Sequence, residues 1–310
     1  MKQCFALLLA LSLVLGLAAC GGNTPADATT APTVSATSAP EIPATEATVP
    51  PETQAAIPVT EAVTLVDTDQ LTFTVTEYRT NEHLGLEMHV YCENKTDATM
   101  MFSLDSVSVC GVMFDPFWAE EVAPGKKVNS VVYFDTFALE EMGVKSPDEI
   151  SFRLYVFDNE RWMDEPFLDD RFSVYPTGLT PEQVVYPQHQ PSSGQTVIMD
   201  NDSLVFIVER VDDTQSGFYT LDCYIANRTD RDLLVSWDGV SVNGFMVDPF
   251  WAAAVGAGKQ LYTQVSFPES ELLNQGIEIV DEIEFTLTAM DYDSLDGTFL
   301  VEETCTFQPK

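Results

Sequence analysis

The chain has 310 residues, 45% of them hydrophobic, with 49 acidic against 14 basic side chains and a formal net charge of −35. A field of that sign repels nucleic acid and anionic headgroups or wall polymers, so nucleic acid is excluded as a partner. Most of the charge reads as a solvated surface.

Residues 1–19 carry one lysine, Lys2, followed by an apolar run from Phe5 to Ala19 that is too short and too weakly flanked for a stable membrane span. This is the pattern of an export signal. It ends in Leu17-Ala18-Ala19-Cys20-Gly21, which resembles the lipobox of bacterial lipoproteins. The resemblance implies that Cys20 is acylated and becomes the mature N-terminus; the alternative is an ordinary secretory signal with an incidental cysteine. Two acyl chains hold a bilayer firmly where one does not. The expected partner is therefore the membrane, through a lipid anchor, with the protein extracellular on the outer face of the cytoplasmic membrane. No other apolar run approaches the length of a transmembrane helix.

Residues 20–63 are almost entirely Thr, Ala, Pro, Ser and Glu, with no Lys, Arg or aromatic residue beyond Cys20. Such a composition buries too little apolar surface to offset chain entropy, so a disordered tether is expected. Its reach is roughly 35 Å as a flexible coil and roughly 130 Å fully extended.

Beyond the tether, Asp115-Pro116-Phe117-Trp118-Ala119 returns as Asp248-Pro249-Phe250-Trp251-Ala252, displaced by 133 positions. The offset holds without a gap through Leu71/Leu204, Asn94/Asn227, Gly125/Gly258 and Asp148-Glu149-Ile150/Asp281-Glu282-Ile283, and ten of thirteen positions match from Val107 to Ala119. One domain is written twice, at 64–176 and 195–310, with a proline-rich linker at 177–194. Within the first copy, apolar and polar residues alternate over Leu71–Tyr78 and Leu86–Cys92, the mark of half-buried strands. A strand is expected over Met100–Val109, then a hairpin turn at Cys110-Gly111, which reads Asn243-Gly244 in the second copy. Pro116 limits the next strand to a short edge or bulge. A strand over Lys127–Phe134, a short helix capped by Asp135 or Thr136 and stopped by Gly143, and strands over Glu149–Phe157 and Phe167–Tyr175 complete the copy. The expectation is an all-β chain of two tandem immunoglobulin-like antiparallel sandwiches, each with one short helix.

The Asn94-Lys95-Thr96-Asp97 turn, the stretch from Cys110-Gly111 to Trp118, the Gly125-Lys126 pair and Asp148-Glu149-Ile150, with their second-copy equivalents, resemble the tandem immunoglobulin-like domains of unknown function found in Gram-positive lipoproteins. The resemblance implies a fold and a location. It brings no catalytic residues.

No histidine belongs to the duplicated unit, and no Gly-x-Ser-x-Gly, phosphate loop, His-Glu-x-x-His or Cys-x-x-Cys is present. The chain reads as non-enzymatic, without a cofactor. Cys92, Cys110, Cys223 and Cys305 align with Ile225, Asn243, Val90 and Phe172, so no disulfide belongs to the repeat and free thiols are expected. Two candidate sites recur. Asp67, Asp69, Asp97 and Asp158, repeated as Asp200, Asp202, Asp230 and Asp291, gather with Asn94 and Asn227 at one pole if the strands run up and down. Calcium, which takes roughly six to eight oxygens, is one reading; ordinary acidic turns are the other. Phe117, Trp118, Phe250 and Trp251 either pack the edge strand onto the core or form a platform for an envelope protein or glycan. A purely structural spacer is the reading of another class.

Overall fold

The computed structural model describes residues 62–212, 214–294 and 297–309. The signal, Cys20 and the tether as far as residue 61 lie outside these residues. Among the described residues the structure is all-β, with 54% in strands and two short α-helices.

The first repeat contains β1 (Val63–Asp67), β2 (Leu71–Asn81), β3 (Gly85–Asn94), β4 (Met100–Val109), β5 (Val112–Met113), β6 (Ala119–Val122), β7 (Lys127–Phe134), α1 (Thr136–Glu141), β8 (Ile150–Asp158) and β9 (Leu168–Val174). The second contains β10 (Thr196–Asp200), β11 (Leu204–Asp212), β12 (Phe218–Asn227), β13 (Leu233–Val242), β14 (Phe245–Met246), β15 (Ala252–Val255), β16 (Gln260–Pro268), α2 (Glu269–Asn274), β17 (Ile283–Asp291) and β18 (Phe299–Phe307). In the first repeat one sheet runs β1-β2-β3-β7 and the other joins β9, β8 and β4, with β5 and β6 also on β4; the second repeats this plan. These are two immunoglobulin-like sandwiches, each closed over its own core.

Strand alternation builds those cores. Phe73, Val75, Met88, Val90 and Cys92 point inward from one sheet of the first repeat and meet Phe102, Leu104, Phe152 and Leu154 from the other. Phe206, Val208, Leu221, Cys223 and Ile225 meet Val235, Phe285 and Leu287 in the second. Two turn chemistries repeat. Cys110 and Gly111 have φ of 47° and 81°, and Asn243 and Gly244 have 50° and 81°, so each hairpin carries two left-handed residues, matching the strand twist. Asp135 caps α1 by accepting from the Phe137 and Ala138 N–H groups at 2.9 and 3.2 Å.

Two features differ from the sequence expectations. Val63–Asp67 is a strand, paired with β2, where the alternation suggested that the first strand began at Leu71. The buried Asn94 also does more than shape a turn. Its Oδ1 accepts from Thr96 N–H at 2.9 Å, while its Nδ2 donates to the Ala98 and Val122 carbonyls at 2.7 and 2.8 Å. Because β3 and β6 belong to different sheets, this amide pins the sandwich shut. Asn227 repeats the bonds with the Arg231 and Val255 carbonyls at 2.8 and 2.9 Å.

All described residues lie in one compact unit, in which the repeats touch. The tip of the β4–β5 hairpin sits beside β16 in parallel, with Gln260 N–H donating to the Gly111 carbonyl at 2.9 Å. One sheet of the first repeat thereby continues into one sheet of the second, giving nine strands. The proline-rich segment straps this contact. The Tyr186 ring lies against Gly111, its hydroxyl donates to Glu149 at 2.7 Å, and the Pro187 carbonyl accepts from Gln260 Nε2 at 2.7 Å. His189 then stacks on Tyr224 at 4.1 Å between ring centroids and bonds Glu209.

Candidate functional site

The recurring Asp-Pro-Phe-Trp stretch links the short strands β5 and β6, and β14 and β15, on the sheet that holds β4 or β13. Proline cannot donate to a ladder, so the chain leaves the sheet here and is held by side-chain bonds instead. The Asp115 carboxylate accepts the Phe117 N–H at 2.8 Å, and Asp248 accepts that of Phe250 at 2.7 Å. These Asx turns place both phenylalanines at φ 49°. Bulky side chains avoid this left-handed region, which costs an L-residue about 1–2 kcal/mol.

The strain has a visible result. Phe117 is 90% and Phe250 83% exposed. The next residue turns the other way. Trp118 packs edge-on against Phe73 at 6.3 Å, and its Nε1 donates to Ser130 Oγ at 3.1 Å. Trp251 packs edge-on against Phe206 at 5.8 Å, with Nε1 donating to Thr263 Oγ1 at 3.4 Å. Neighbouring aromatic side chains are therefore divided between solvent and core, and the Phe-Trp pair is not one flat platform. In the second repeat Trp237, 4% exposed, stacks on Phe285 at 3.7 Å and meets Trp251 at 5.9 Å. Trp162 is half exposed.

The structure does not bring the acidic pole together as a ligand set. Strand pairing places the start of β2 beside the end of β3, and the start of β4 beside the end of β8. The carboxylates there are taken up by nearby cations. Asp67 binds Lys95 at 2.7 Å and Asp200 binds Arg228 at 2.7 Å. Asp158 accepts from Arg161 Nε at 2.8 Å, and Arg231 reaches Asp291 at 3.2 Å and Asp230 at 3.7 Å. Asp69, Asp97 and Asp202 face solvent. Among the described residues, no group of three or more His, Cys, Asp or Glu side chains could hold a metal ion. The Lys95 hydrogen bond foremost, with that of Thr72, holds the Asp67 carboxyl below its ordinary range, and the Arg161 bond does the same for Asp158.

Among the described residues, Cys92, Cys110, Cys223 and Cys305 are free and buried. Burial pushes the Cys92 and Cys223 thiols well above the ordinary range, so the reactive thiolate is scarce. Cys110 donates to the Ser146 carbonyl at 3.3 Å. Among the described residues, no helix is long and apolar enough to cross a membrane. No protein-family model matches the chain, and a search of curated proteins finds no similar sequence.

The contrast between Phe and Trp was not visible in the sequence, since both are large and apolar. Asp-Pro two and one residues ahead of the phenylalanine was the available signal, because an Asx turn through proline re-aims the following side chain.

Proposed function

We propose that this chain is a non-enzymatic lipoprotein, held by Cys20 on the outer face of the cytoplasmic membrane, whose two sandwiches each present a phenylalanine tip to an envelope protein or glycan. One observation carries the binding part: two nearly fully exposed phenylalanines, at equivalent positions of the two copies, are both fixed at a strained φ of 49°. Strain kept at an exposed side chain marks use rather than packing. The lipobox-like Leu17-Ala18-Ala19-Cys20 supports the anchor, and the charge of −35 favours solubility beyond the membrane over adsorption to anionic polymers.

The test has two arms. Cys20→Ala is expected to move the protein from the membrane fraction to the medium; membrane retention without detergent dependence overturns the anchor. Purified full-length protein is then incubated with isolated cell envelopes and with purified peptidoglycan. Saturable retention that falls at least tenfold in Phe117→Ala/Phe250→Ala, at unchanged melting temperature, supports the tips. Equal retention of both proteins, or none of either, overturns the binding role and leaves a spacer.

A further inference from the structure

The strap sits on a seat made by the first repeat: the hairpin glycine, the glycine that stops the helix, and a glutamate. The Tyr186 ring lies 3.3 Å from where a Cβ on Gly111 would stand, Pro187 lies 3.4 Å from the same point on Gly143, and the Tyr186 hydroxyl donates to Glu149 at 2.7 Å. Duplication places the same three residues on the second repeat, as Gly244, Gly276 and Glu282. There a Cβ on either glycine would meet no described atom within 4 Å. The seat is repeated and is exposed in its second copy.

Three observations bear on what covers it. The first is its apolar surround. Val112, Glu140 and Ser146 of the first repeat become Phe245, Leu273 and Ile279, all exposed, and Met246 beside them is exposed too. These positions adjoin: Leu273, Ile277 and Ile279 line a groove of about 490 Å³ on either side of Gly276, and the Ile279 carbonyl accepts from Asn243 of the hairpin at 2.8 Å. Large apolar side chains gathered on a surface mark a contact site. The second is Tyr219, which lines the same groove where the first repeat has Leu86. Its hydroxyl is buried with no hydrogen-bond partner among the described residues, and an incoming peptide carbonyl supplies what it lacks. The third is charge. Glu269 and Glu278 rim the groove, Glu278 stands where the first repeat has Lys145, and the chain from Gln260 to Pro309 has no Lys, Arg or His.

We propose that this end of the second repeat docks an extended, basic segment of another protein, one that carries a tyrosine followed by proline. The strap is the template. A tyrosine ring lies on the hairpin glycine with its hydroxyl on the glutamate, and the proline follows over the glycine that stops the helix. Glu282 accepts from the exposed Gln308 amide at 2.9 Å, a bond that a tyrosine hydroxyl can replace. Proline-containing segments are already extended and dock in apolar grooves at low entropic cost. The acidic rim selects a basic partner. A second copy of this chain does not fit that description, since its own strap is held in its own junction and its charge of −35 is repelled. The phenylalanine tips are separate residues and take no part.

The probe is a fluorescent peptide, Lys-Lys-Gln-Val-Val-Tyr-Pro-Gln-Lys-Lys, which sets the strap sequence 183–188 between lysines. Titration with full-length protein, followed by fluorescence polarisation, is expected to saturate below about 1 mM and to weaken as salt is raised. Replacing the peptide's tyrosine by alanine, or Leu273→Gln/Ile279→Ser in the protein, should each weaken binding at least about tenfold. That double variant changes only exposed side chains and should melt with wild type. Phe117→Ala/Phe250→Ala should bind as wild type does, which separates this site from the tips. No saturation by about 1 mM, undiminished binding by Leu273→Gln/Ile279→Ser, or equal binding of a peptide flanked by glutamates would each overturn the proposal. So would self-association in sedimentation that the same double variant abolishes, since that assigns the end to a second copy.

Discussion

Phe117 and Trp118 are adjacent and both aromatic, yet the structure requires opposite responses to their removal. Phe117 is 90% exposed and contributes almost no burial, while its φ of 49° opposes the native state. Phe117→Gly should therefore stabilise by about 1 kcal/mol, the left-handed penalty less part of the extra chain entropy of glycine. Trp118 lies half-buried against the first core, edge-on to Phe73 and bonded to Ser130. Truncating a fully buried tryptophan to alanine costs about 3–5 kcal/mol, and partial exposure puts Trp118 near 3.

For a cooperative unit of this size, 1 kcal/mol moves the melting temperature by about 2–4 °C. Scanning calorimetry of the full-length protein should show Phe117→Gly higher by about 2–4 °C and Trp118→Ala lower by roughly 6–12 °C. Phe250→Gly and Trp251→Ala should repeat the contrast, the second more strongly because Trp251 also supports Trp237. A lower melting temperature for Phe117→Gly would mean the ring is packed and the strain account wrong. An unchanged one for Trp118→Ala would remove its role in the core.

Asn94→Ala strands two buried carbonyls and should destabilise by about 3 kcal/mol, measured by urea unfolding; a loss below about 1 kcal/mol would reduce the residue to a turn former. Burial holds the Lys259 ammonium below the ordinary lysine range. The native state is thus penalised below that depressed pKa, and the penalty fades as pH rises through it toward the unfolded value of about 10. Lys259→Met should raise the melting temperature near neutral pH, by a margin that shrinks in alkali; an equal or lower value at neutral pH contradicts this. Millimolar calcium should not shift the melting temperature, because Lys95, Arg161, Arg228 and Arg231 already occupy carboxylates of the acidic pole; a shift specific for calcium over magnesium would restore the metal site.

Where strand, turn and core all follow from local pattern, the sequence was readable. Met100–Val109 and Lys127–Phe134 are strands with those bounds, and Asp135 caps the helix. Position-to-position comparison of the copies sorted core from surface on most strands. Long-range partners were not readable. Asn94 announced a turn, but its bond to Val122 joins residues 28 apart in the chain and depends on the sheets being closed. Arg171 and Asp232 carried no pattern, since each is peculiar to one copy and they meet only across the junction. Comparison between copies hides what makes them different, and the junction between the repeats is built from those differences.

The same asymmetry explains how a duplicated unit can dock on itself without propagating. A head-to-tail contact between like units tends to extend into a filament. Here the β4–β5 hairpin of the first repeat meets the edge of β16, and the corresponding hairpin of the second repeat, with Phe245 and Met246 exposed, faces outward. A further unit would need an edge on the first repeat like that of β16. The outer face beside β16 carries Val205, Ile207, Tyr224 and Tyr262, partly covered by His189 of the strap. The equivalent face beside β7 carries Thr72, Thr74, Tyr91 and Asn129, three of them polar replacements for apolar residues. Docking there would bury hydroxyls and an amide where the internal contact buries valine, isoleucine and tyrosine, and it would lack the strap. The hairpin is duplicated but its apolar receptor is not, so this contact is restricted to the one pair within the chain.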